Sequence, residues 1–84
     1  MIMTADKQQR PLYEIAQEIK EDAESRAFWW KAKPYVEAML SLNKITDMYG
    51  YDPADMIVRY ALGNLMGWRG DKAKAIKDEL RSML

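Results

Sequence analysis

The chain has 84 residues with 13 Lys plus Arg against 13 Asp plus Glu, a formal net charge of zero. That length holds one domain with a modest core, and the balanced charge argues against bulk electrostatic binding to nucleic acid or an anionic membrane. The absence of Cys and His removes a disulfide framework, thiolate chemistry, the commonest general base and the commonest metal ligand.

Residues 1–9 are polar and without period, and read as a flexible N-terminal lead to a single helical domain over 10–84. The opening MIMTADKQQR lacks the apolar core of a signal peptide, and no stretch approaches the roughly 18 apolar residues of a membrane span. The default expectation is therefore a cytoplasmic protein without a membrane partner.

A first helix opens near Pro11. Leu12, Ile15, Ala16, Ile19 and Ala23 follow the i, i+3, i+4, i+7 spacing of one buried stripe. Glu14, Glu18 and Glu21 make an acidic ridge beside it. Hard-cation sites gather about six or more converging oxygens, so the ridge reads as a solvated face and no metal or cofactor is expected. Next come Phe28, Trp29 and Trp30, which cannot all face one core from so short a segment. Two of them are expected to seal one end of the bundle. At least one is left for a surface contact, flanked by Lys31 and Lys33.

From Pro34 to Tyr49, at about 100° per residue, Glu37, Ser41 and Lys44 share one narrow strip and most of the remaining circumference is apolar. The pattern predicts a central helix over 34–49, with Pro34 in its first position and Gly50 as its left-handed stop. Asn43 interrupts the apolar arc and is expected to be a buried amide satisfied by backbone rather than a ligand contact. Asp52 and Pro53 form a cap-and-first-residue pair for a third helix running to about Leu65. Its core face is Ala54, Ile57, Val58, Ala61 and Leu65, with Asp55 and Arg59 on the solvent side.

Gly67 and Gly70 bracket Trp68 and Arg69, and Asp71 is the expected cap of a fourth helix with the stripe Ala73, Ile76, Leu80, Met83, Leu84. Between Gly67 and Leu84 there are five basic and three acidic residues, and Lys74, Lys77 and Arg81 share an outer face. Helices three and four therefore allow a helix-turn-helix reading with these three residues against nucleic acid. The face lacks the early Arg, Asn or Gln of base readout, and Asp78 and Glu79 would approach phosphates.

Arg10-Pro11-Leu12, Pro34-Tyr35-x-Glu37-Ala38-Met39, Tyr49-Gly50-x-Asp52, Trp68-Arg69-Gly70 with Ala73, and Lys77-x-Glu79-Leu80 touch most of residues 10–84. On these the chain resembles a group of small uncharacterised helical proteins of actinobacterial phages. The resemblance implies an early or accessory protein acting in a bacterial host cytoplasm and carries no functional residues.

The residues together predict an all-α fold, a compact bundle of four helices with short connections. No Gly-rich phosphate loop, zinc spacing or nucleophile–base pair is present, so an enzyme is not expected. The leading expectation is a protein-interaction module, binding and modulating a bacterial host protein through Phe28, Trp29, Trp30, Trp68 and Arg69. The alternative is the small DNA-binding regulator using Lys74, Lys77 and Arg81. A homodimer through the same aromatic surface is a third outcome.

Overall fold

The computed structural model describes residues 9–84, so the expected lead over residues 1–9 lies, apart from Gln9, outside the described residues. Four helices are present: α1 (Leu12–Ala23), α2 (Trp29–Met39), α3 (Ala54–Gly63) and α4 (Asp71–Ser82). Between α2 and α3 the chain forms a small antiparallel hairpin, β1 (Met48–Tyr49) and β2 (Asp52–Pro53). The molecule is mostly helical, with the four expected helices, and the two-stranded hairpin departs from an all-α fold.

α1 forms as its periodicity demands. Its buried residues are Leu12, Ile15, Ala16, Ile19 and Ala23, the predicted stripe without exception. Pro11 occupies the cap position and supplies no side-chain oxygen. The free N–H groups of the first turn are satisfied from elsewhere: Leu12 and Tyr13 donate to the carbonyls of Asn43 and Leu42 at 2.8 and 2.9 Å. The α2–β1 loop is thereby fastened to the start of α1.

α2 is the middle element, its backbone close to both α1 and α3. Its bounds differ from the predicted 34–49 at both ends. It begins five residues earlier, at Trp29, so Pro34 lies inside the helix at an exposed position rather than at its start. It ends ten residues earlier, at Met39, through i to i−3 bonds from Ser41 to Ala38 and from Leu42 to Met39. The physical reason for the early end is local polar competition. Asp47 Oδ2 accepts the backbone N–H groups of both Asn43 and Lys44 at 3.0 Å, and the Asp47 carbonyl accepts Ala54 N–H at 2.8 Å. Asn43 is accordingly an exposed loop residue, not a buried amide. Gly50 does adopt a positive φ of +62°, but as the first residue of the two-residue hairpin loop Gly50–Tyr51.

α3 buries Ala54, Ile57, Val58 and Ala61, and Leu65 follows into the core, as predicted. Its cap position is Pro53; Asp52 pairs with Tyr49 in the hairpin instead of capping the helix. α4 buries Ala73, Ile76 and Leu80, with Met83 partly covered and Leu84 exposed. Gly70, not Asp71, is its cap residue, with φ 112° and ψ 174°, a conformation open in practice only to glycine. α4 makes its closest backbone approach to α1. No described helix is long and apolar enough to cross a membrane.

Candidate functional site

The α1–α2 turn and the α3–α4 connection meet at one end of the bundle, which joins the two stretches the sequence singles out. The meeting point is Phe28 on Gly67. A Cβ built on Gly67 would stand 3.1 Å from the Phe28 ring, a tight approach that the ring would have to relieve by a few tenths of an ångström. Phe28 itself is half-buried against the core.

The three tryptophans divide sharply. Trp29 falls in line with Ala32 and Val36 on the inner face of α2 and is buried. Trp68 is 0% exposed and is the largest fully buried side chain. Its indole N–H donates to Asp22 Oδ2 at 2.7 Å, which satisfies the polar edge of the ring inside the fold. Asp22 is also 3.8 Å from Arg26. The Trp68 carbonyl accepts Lys77 Nζ at 2.6 Å. Burial pushes the Lys77 ammonium below its ordinary range, with Arg81 and Arg69 adding repulsion. Trp29 and Trp68 therefore leave the predicted contact set: both are core residues.

Trp30 is the opposite case. It is 71% exposed, on the outer side of α2, with Lys31 Nζ 5.5 Å from the ring centroid. Arg69 is exposed, and so is Met66, 77% accessible, on the other side of Gly67. Of the predicted set, Trp30 and Arg69 are exposed and Phe28 is half-buried; Met66 is exposed as well. The helical period of α2 carries the signal for Trp30 once the helix is started at Trp29. Met66 follows α3 in the connection to α4, where no helical period marks it.

The predicted basic residues of α4 are largely engaged. Lys74 Nζ lies 2.9 Å from Asp78 Oδ2 and an Arg81 guanidinium nitrogen 3.3 Å from Asp78 Oδ1. The hydrogen bond from Lys74, reinforced by its charge, holds the Asp78 carboxyl below the usual carboxylate range. Lys77 is turned to Trp68. Lys74 and Arg81 thus share the one Asp78 carboxylate, each still more than half exposed, while Lys77 donates to a backbone carbonyl.

The acidic ridge has an occupant that sequence spacing alone did not reveal. Arg10 donates from Nε and Nη2 to both oxygens of Glu79 at 2.9 and 2.8 Å, and from Nη1 to Glu18 and Glu14. The bidentate fork joins the start of α1 to α4. The Nη1 bond holds the Glu18 carboxyl low, and the bonds to Glu79 and Glu18 together keep the Arg10 guanidinium more firmly charged than usual. Among the described residues no group of three or more His, Cys, Asp or Glu is placed to hold a metal ion. Beside Arg10 lies an open cleft of about 240 Å³ whose lining includes Asn43, Ile45, Thr46 and Met83. Searches of protein-family models, curated proteins and solved structures find no match to this chain.

Proposed function

We propose that the protein is a non-enzymatic interaction module that engages a protein partner through the aromatic end of the bundle, with Trp30 as its anchor. The observation that carries this reading is Trp30 itself. An indole is the side chain with most to gain from burial, yet this one is held 71% in solvent on a helix whose other face is locked into the core. Trp, Met and Arg are the types enriched at protein interfaces, and Trp30, Met66 and Arg69 supply all three around the Phe28–Gly67 contact. In the phage context that the sequence resemblance implies, the partner is a bacterial host protein met in the host cytoplasm.

The DNA-binding reading is less well supported. α4 is tied to α1 by the Arg10–Glu79 fork, and its Lys74, Lys77 and Arg81 are occupied as described. The two readings separate in one experiment. A photo-crosslinking residue placed at Arg69 captures the partner from host extract, and purified partner is titrated against variants. Trp30→Ala is expected to weaken binding about 30-fold or more, as hot-spot truncations do. The triple change Lys74→Glu, Lys77→Gln and Arg81→Glu leaves it within about threefold, because those groups lie outside the contact. Indifference to Trp30→Ala overturns the assignment. Duplex binding that falls steeply with salt and vanishes in the triple variant would establish the alternative.

A further inference from the structure

A second surface, separate from the aromatic end, is the outward face of α3. Asp55, Met56, Arg59 and Tyr60 lie on it, opposite the buried Ala54, Ile57, Val58 and Ala61. Met56 is 40% and Tyr60 50% exposed, and the Tyr60 ring rests 5.5 Å from that of Tyr35 on α2, which widens the apolar strip across two helices. Asp55 and Arg59, one turn apart, are at the spacing of an intrahelical ion pair, yet among the described residues neither has an ion-pair partner. Among the described residues the Asp55 carboxylate accepts only the neighbouring Met56 N–H, at 2.9 Å.

The arrangement is self-complementary. At about 100° per residue, Asp55 and Arg59 form one edge of the face and Met56 and Tyr60 the other. The midpoint of each pair falls at almost the same height, one residue or about 1.5 Å apart along the axis. A two-fold axis crossing α3 at that level sets a second α3 antiparallel to the first. Each Asp55 then meets Arg59 of the second copy, and each Met56 meets Tyr60 of the second copy, all on the matching edge.

We infer that the outward face of α3 is an isologous contact with a second copy of this chain. Opposite charges at equal distance from the axis make the surface complementary to itself, and the zero net charge imposes no overall repulsion. A helix of ten residues gives a short contact, so the association is weak and set by concentration. It is independent of the Trp30 surface, which stays open to another partner.

The test is sedimentation equilibrium of the full chain from about 10 μM to about 1 mM, the range where weak dimers form. The wild type is expected to dimerise within it. Asp55→Arg alone, or Arg59→Asp alone, opposes like charges twice across the axis and is expected to raise the dissociation constant about tenfold or more. The double reversal Asp55→Arg with Arg59→Asp restores the pairing and returns the constant to within about threefold of wild type. Should a single reversal unfold the helix by circular dichroism, Tyr60→Gln, which leaves both charges in place, is expected to weaken the dimer likewise. A wild type that stays monomeric throughout overturns the inference. So does a dimer indifferent to these changes, or one the double reversal fails to restore. Loss of the dimer on Trp30→Ala alone would move the contact to the aromatic end and also overturn it.

Discussion

Trp68 fills the end of the core and makes two polar ties, its ring N–H to Asp22 and its carbonyl to Lys77. Replacing it by Ala opens a cavity and removes the indole donor from Asp22, a loss of about 3–5 kcal/mol by urea unfolding. Trp30→Ala, on exposed surface, is expected to shift the same midpoint by less than about 0.5 kcal/mol. Acrylamide quenching checks the same division optically: about one third of the tryptophan emission, that of Trp30, is readily quenched in the wild type and absent in Trp30→Phe. Gly70, at φ 112° and ψ 174°, has open space around it, so Gly70→Ala costs about 1–3 kcal/mol through backbone strain alone. These residue roles were only half legible in the sequence. Two glycines bracketing Trp68-Arg69 marked a special connection. Whether the tryptophan between them faced in or out depended on Asp22, 46 positions away.

At the scale of elements, legibility follows periodicity. α1, α3 and α4 each have one apolar stripe, and the stripe named their buried residues. The segment around α2 is apolar nearly all round, so the pattern that marked it as central could not fix where it starts or stops. Its end was decided by the side chain of Asp47, and the strands that follow, two residues each, are too short to show alternation. The Arg10 fork acts between elements. Glu18 is held below its ordinary 4.5 chiefly by its hydrogen bond to Arg10. A carboxyl lowered by folding stabilises the fold above its unfolded pKa, and this contribution is lost as pH falls through the folded value. Arg10→Met is expected to cost about 1–2 kcal/mol at pH 7, kept small by partial exposure of the groups. The gap between wild type and variant should narrow as pH falls through the folded value of Glu18, below the ordinary carboxylate range, followed as melting temperature against pH.

The whole molecule is a small core closed at one end by aromatics, with apolar side chains left outside on the hairpin (Met48, Tyr49, Tyr51) and on two further surfaces. Trp30 and Met66 lie at the aromatic end, and Met56 and Tyr60 on α3. Net neutrality gives neither surface a long-range field to work with, so recognition at either is short-range and shape-led. An ionic-strength series separates this from phosphate binding: complex formation through Trp30 is expected to change less than about threefold between 50 and 200 mM salt, where a protein making several phosphate contacts loses orders of magnitude.

The two polar ties that bring α4 home also say something about the order in which the fold comes together and apart. The Trp68–Asp22 bond and the Arg10–Glu79 fork join residues 46 and 69 positions apart, whereas α2 and α3 are neighbours in the chain and share the most extensive packing. Closing the longer loops carries the larger entropic cost, so α4 is expected to dock late on a platform formed by the other three helices. It is also expected to be the piece that detaches first while the rest stays intact. In native-state hydrogen exchange the amides of residues 74–82 are expected to exchange through a smaller opening than those of Val36 and Val58, and Arg10→Met should widen that difference.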